Sequence, residues 1–270
     1  GLGDVYKRQA QRQYDRICNY PPLSAYIFWL SGLIFEAVSA DRLINTLTSH
    51  AVFSSWSIMC DFLLAWGCAA IVRQVGRPAA ARWTYALVLL APPLWWDSVV
   101  WGQYESVVLA PAVWMLYFML RGRRLSAGVL WGLALGLKPQ AILLVPVWAY
   151  AVIAGPRRLQ VAAGALAALI VLAGVALPFT ANSRAAWFER SYWDNIFGPD
   201  SLYGHYTTLG AFNLWYVDLL LSDSLSAERT WLNVAKRTWG KLLLGTALLA
   251  GLILTLRRWR RDPRGLIAVS

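Results

Sequence analysis

Four short stretches of the 270-residue chain interrupt apolar sequence with side chains that could do chemistry. In WWDSVVWGQYES, residues 95–106, Asp97 and Glu105 flank Gln103 among aromatic rings, with no basic residue nearby. Rings stack on the apolar face of a sugar, and carboxylates and amides read its hydroxyls. An interfacial aromatic belt with solvated acids accounts for the same composition. In Leu137-Lys138-Pro139-Gln140 the proline must break a helix, which bares carbonyls and the Lys138 ammonium at the break. A compact ammonium suits a phosphate; a lysine snorkelling from a helix end is the structural alternative. Residues 187–215 set Arg190, Asp194, His205, Tyr206 and Asn213 in a stretch dense in Trp, Tyr and Phe. That density suits a folded lid over a carbohydrate or lipid phosphate, although for His205 alone a structural hydrogen-bonded role outweighs a catalytic one. Asn19-Tyr20-Pro21-Pro22-Leu23 is a rigid turn whose prolines set φ for a helix start. Asp61 lies midway along an apolar run; no partner is visible, which favours a structural role, and Glu36 reads as interfacial.

The elements that must carry these residues are membrane helices. Hydrophobic side chains make up 58% of the chain and charged ones only 14%, about half the charge of an average soluble domain, which excludes a soluble globular protein. The mean hydropathy is +0.47. Apolar spans are predicted at Val52–Val72, Trp83–Leu94, Val107–Leu120, Ser126–Leu137, Ala141–Ala154, Val161–Phe179 and Leu242–Leu256, and several fall short of the roughly 20 residues that cross a bilayer. Short spans joined by irregular backbone are tolerated where that backbone is buried in protein or lines a wet cavity, so residues 95–106 and 138–140 are expected to border one.

The net charge of +11 does not indicate a nucleic-acid partner. Thirteen of the 25 basic residues fall in four clusters between apolar runs: Arg73, Arg77, Arg82; Arg121, Arg123, Arg124; Arg157, Arg158; and Arg257, Arg258, Arg260, Arg261, Arg264. This is the positive-inside pattern, and it puts residues 95–106, 138–140 and a long loop at 180–237 on the outer side. That loop holds five basic and six acidic residues, a net of −1. The run from Leu23 to Val38 breaks the alternation if it spans. Being short and amphipathic and rich in Tyr, Phe and Trp, it is expected to lie in the outer interface, with 10–51 all outside. The three cysteines, Cys18, Cys60 and Cys68, show no disulfide or metal spacing. No cofactor and no divalent metal is indicated.

Residues 1–9, GLGDVYKRQ, have no cap, apolar period or signal-peptide core. Asp4 to Gln9 reads as the translation of a sequencing adapter, so the chain is expected to be a fragment lacking segments at both ends. The expected division is therefore an artefactual 1–9, a partial first outer loop at 10–51 with its juxtamembrane helix, a transmembrane core at 52–256, and a cytoplasmic tail at 257–270.

YPPLSAY at 20–26, WWDSVVWGQYES at 95–106, LALGLKPQAILLVP at 133–146 and GAFNLW at 210–215 together resemble the polyprenyl-phosphate-sugar-dependent glycosyltransferases of the C-type membrane fold (GT-C). Among these the chain is similar to lipid-linked-oligosaccharide glucosyltransferases and bacterial mannosyltransferase-like enzymes. The resemblance implies an all-α, polytopic helical membrane protein with outer-face juxtamembrane helices and a long outer loop. It implies a mannosyl- or glucosyltransferase of a bacterial inner membrane with its active site on the outer face. The donor would be a polyprenyl-phosphate sugar and the acceptor a glycan or lipid-linked molecule. Lys138 and Gln140 would contact the donor phosphate, Gln103 and Glu105 the donor sugar, and His205 the leaving phosphate, with Asp97, Tyr20 and Asn213 as further substrate contacts. The family's catalytic aspartate is expected before the YPPL turn. There Asp15 is the one carboxylate between the adapter-like residues and Tyr20, so the true base is expected to be missing. A transporter would gather polar groups at the midplane within internal repeats, and no repeat is found; a flippase-like protein would not need the WGQ and KPQ breaks.

Overall fold

The computed structural model describes residues 20–39, 46–155, 157–183, 188–193, 226 and 228–261. Asp15, His205 and Asn213, and most of the 180–237 loop, lie outside the described residues. Contacts divide the chain into two compact units, one of residues 1–21 and 179–247, the other of residues 22–178 and 248–270.

The described α-helices are α1 (Pro22–Val38), α2 (Leu47–Gln74), α3 (Pro78–Leu89), α4 (Glu105–Leu120), α5 (Arg124–Leu137), α6 (Val145–Ala154), α7 (Arg158–Ser183) and α8 (Lys236–Arg261). The all-α expectation therefore holds, with one two-stranded hairpin, Thr230–Trp231 against Val234–Ala235. Among the described residues three helices are long and apolar enough to cross a bilayer: Leu47–Gln74, Arg158–Thr180 and Lys236–Leu254. The expected span over Trp83–Leu94 is not one helix. Pro92 and Pro93 cannot donate to the preceding turn, so α3 ends at Leu89 and a short turn, Pro92–Trp95, starts afresh. The expected span over Ala141–Ala154 is likewise composite, a 3₁₀ segment Pro139–Leu144 followed by α6.

In the larger unit α2 packs against α3 and α4, α4 against α5, and α1 lies across α2 and α5. Thr46 starts α2 with a reciprocal cap, its hydroxyl accepting from the Ser49 N–H at 3.2 Å while the Thr46 N–H donates to Ser49 Oγ at 3.0 Å. Trp56 Nε1 donates to Ser31 Oγ at 2.9 Å and ties α1 to α2. Small residues let α5 and α7 touch backbone to backbone: a Cβ on Gly128 would stand 1.9 Å from the Gly164 carbonyl oxygen, and one on Gly132 2.5 Å from that of Ala168. Paired small residues four apart are how membrane helices approach closely without a hydrophobic driving force. Many large apolar side chains, Trp66, Leu87, Leu169 and Ile170 among them, stay exposed, as lipid-facing surfaces must.

In the smaller unit, Ser191 Oγ donates to the Tyr20 carbonyl at 2.9 Å. Arg237 pairs with Glu228 at 2.9 Å beside the hairpin.

Candidate functional site

Lys138 precedes a proline, and the ring of such a proline pushes its predecessor out of the helical region. Lys138 is accordingly extended, φ −148 and ψ 140, between α5 and the 3₁₀ segment. Its ammonium leaves the helix axis, pairs with Glu105 Oε1, and sits 5.0 Å above the centre of the Tyr104 ring. Both faces of that cation are thus occupied, one by a carboxylate and one by a π cloud.

The length of the helices explains why it needs them. At about 1.5 Å per residue α4 and α5 run ~24 and ~21 Å from the basic turn at Arg121–Arg124, less than the ~30 Å hydrocarbon core. A lone charge among apolar helices of this kind is costly. Lys138 is 16% exposed and Glu105 43%, so the carboxylate is the more exposed partner.

The segment from 95 to 106 is not the open loop its composition suggests. Trp96–Trp101 is π-helical and closes on Gly102, whose φ of 70 only glycine adopts without strain. The Gln103 N–H then donates to the Asp97 carbonyl at 2.9 Å, which turns the chain into α4 with Glu105 in its first turn, where the helix dipole favours an acid. Asp97 is half-buried on this π turn. Burial first, then the Glu105 carboxylate and Asp61, push its pKa above the ordinary 3.8, against the opposing pull of Lys138.

An open groove of about 640 Å³ lies beside these groups. Leu87, Val88, Leu94 and Leu109 form its apolar wall, and Asp97, Glu105 and Ser106 its polar end. An amphiphile with a hydroxyl-rich head and a hydrocarbon tail matches that division.

The structure therefore brings Lys138, Glu105 and Asp97 together, as the charge-based placement of the two breaks on one side requires. Gln103 is partly buried and adds its backbone, whose carbonyl accepts from Ser57 Oγ at 2.7 Å. Gln140 is exposed, one residue past Pro139. Tyr20 belongs to the smaller unit.

Several residues that shape the site carry no signal of their own in the sequence. Ser24, one turn into α1, donates to the Leu137 carbonyl at 2.6 Å and lies 3.4 Å from the Tyr104 hydroxyl. Phe28 meets the Tyr104 ring edge-on at 5.3 Å. Gly136 has no Cβ to push Leu23 away, since one built there would stand 3.2 Å from the Leu23 Cβ. The YPPLSAY stretch thus does more than start a helix: it seats α1 against the broken end of α5. Asp61, Ser98 and Ser106 form a second cluster behind the site.

Two helix breaks of an all-helical membrane protein thus meet at an ion pair beside a groove. The model of Glycosyltransferase family 87 matches residues 19–270, and the chain belongs to that family. It is a membrane glycosyltransferase of GT-C-like type. No curated protein and no solved structure matches the chain.

Proposed function

We propose that the protein transfers a hexose, mannose or glucose, from a polyprenyl-phosphate donor to a lipid-linked or cell-envelope acceptor on the outer face of a bacterial inner membrane. The observation that carries this reading is the Lys138–Glu105 pair at two facing helix breaks. A cation held at membrane depth by a partly exposed carboxylate can exchange that partner for a phosphate when the donor arrives.

In the reaction the acceptor oxygen bonds to the anomeric carbon, and the bond from that carbon to the phosphate oxygen breaks with inversion. The acceptor proton passes to a carboxylate base. The electron pair leaves with the polyprenyl phosphate, and Lys138, aided by Gln140, neutralises the charge that develops there. Glu105 and Gln103 read the sugar hydroxyls, Asp97 and Ser106 line the polar end of the groove, and its apolar wall takes a lipid chain.

In membranes, Lys138→Met should lower transfer from a polyprenyl-phosphate sugar by about 10²-fold or more at unchanged expression. Lys138→Arg should keep part of it, because the charge survives with altered geometry. A wild-type rate for Lys138→Met would remove the donor-phosphate role. For sidedness, Gln140→Cys should react with an impermeant thiol reagent added from outside; reaction from the cytoplasmic side alone would overturn the outer-face assignment.

A further inference from the structure

Asp61 lies in the middle of α2 with 6% of its surface exposed. A carboxylate at that depth is expensive unless it is hydrogen-bonded. Its partners are two hydroxyls. Ser98 Oγ donates to Asp61 Oδ1 at 2.9 Å, and Ser106 Oγ donates to the same oxygen. The two serines are 0% and 1% exposed.

Ser98 follows Asp97 in the chain and Ser106 follows Glu105. A single oxygen on α2 therefore anchors the neighbour of each site carboxylate, across the π turn and the Gly102 bend that separate them. Ser57, one turn earlier on α2, donates to the Gln103 carbonyl at 2.7 Å and adds a third anchor between the other two. These hydrogen bonds specify one register for the segments on either side.

We propose that Asp61 is a positioning residue of the glycosyl-transfer site, holding Asp97 and Glu105 at a fixed separation. The inference rests on the reading of Lys138 and Glu105 as the donor end. Displacements of about 1 Å at reacting groups cost about 10²-fold in rate, which sets the size of effect to look for.

Because both bonds end on one oxygen, the variants discriminate sharply. Asp61→Asn retains a carbonyl oxygen able to accept both, whereas Asp61→Leu has similar volume and accepts neither. Per folded molecule, kcat for Asp61→Asn should stay within about 3-fold of wild type. Asp61→Leu should lose about 10²-fold in kcat, with KM for the donor changed far less. Ser98→Ala and Ser106→Ala, each removing one anchor, should fall between, and they carry the test if Asp61→Leu does not fold.

A merely structural role would change the yield of folded protein and leave kcat alone. Wild-type kcat in folded Asp61→Leu, or in both serine variants, would overturn the proposal. So would an Asp61→Asn variant as slow as Asp61→Leu, because charge rather than anchoring would then be what matters. Lys138→Met measured alongside separates the two levels: if it is slow while Asp61→Leu is fast, only the positioning role falls. If Lys138→Met is fast, the donor-site reading falls and this inference with it.

Discussion

At one end of the α4–α5 pair the chain turns through Arg121–Arg123, and at the other it meets Glu105 and Lys138. The first end is closed by a backbone turn and close contact, with Arg124 Nη1 donating to the Met119 carbonyl and Arg121 Nη1 to the Tyr117 hydroxyl at 3.0 Å. Gly122, φ 71, donates its N–H to the Met119 carbonyl at 3.1 Å, a helix-ending arrangement that needs the left-handed region. Met115, Ala127 and Val161 fill the space beneath, 0%, 0% and 1% exposed. Next to it the glycine seam between α5 and α7 leaves no room for a methyl group. The second end is held by an ion pair, a ring and serine hydroxyls, next to a groove. Van der Waals contact tolerates no added volume, whereas hydrogen bonding tolerates a change of volume better than a lost donor or acceptor. The same two helices therefore carry a rigid end and an end with room for a ligand.

That contrast is broken most severely from the packed end. Gly128→Leu should abolish folded protein, because its Cβ would enter the Gly164 carbonyl; a monodisperse peak of normal yield after detergent extraction would show that the seam can open. At the site end, Glu105→Gln should cost only about 1 kcal/mol, a few degrees in Tm, since its side chain is 43% exposed and the amide oxygen can still accept from Lys138. A loss as large as that of Gly128→Leu would mean that the pair is a structural pin.

The smallest effect has the opposite sign. Asp97 has a folded-state pKa raised above 3.8, chiefly by burial. Between the ordinary and the raised value the unfolded chain gives up its proton while the fold retains it, so this residue makes stability fall as pH rises through that window. Asp97→Asn should remove that part of the slope and raise stability at neutral pH. A thermal-shift series across the acid range that is unchanged by the substitution would contradict the assignment.

Much of the fold is legible in the sequence because a bilayer reduces the problem to hydropathy and arginine placement. The apolar run Val107–Leu120 differs from α4 by two residues, and Ser126–Leu137 from α5 by two. The break at Ala91–Leu94 is not legible in the same way, since hydropathy counts Pro92 and Pro93 by their apolar rings and not by their missing N–H groups. Lys138 stands out because a charge inside an apolar run is costly and the proline after it forces the helix to stop there. Asp61 is visible but not interpretable: its hydroxyl partners lie 37 and 45 residues away and are serines, which a hydropathy profile cannot pair. Gly128 and Gly164 are invisible for a related reason, as a glycine in an apolar helix signals nothing until its neighbour is known.

The Lys138 ammonium, in the proposed mechanism, is held by Glu105 while the site is empty and by a phosphate once the donor is bound. The affinity of the purified chain for a polyprenyl phosphate carrying no sugar, compared among wild type, Lys138→Met and Glu105→Gln, reads this exchange without any dependence on turnover. Loss of the cation should weaken binding by about 10-fold or more, and loss of the competing carboxylate should strengthen it. Unchanged affinity in Lys138→Met, or weaker binding in Glu105→Gln, would rule the exchange out.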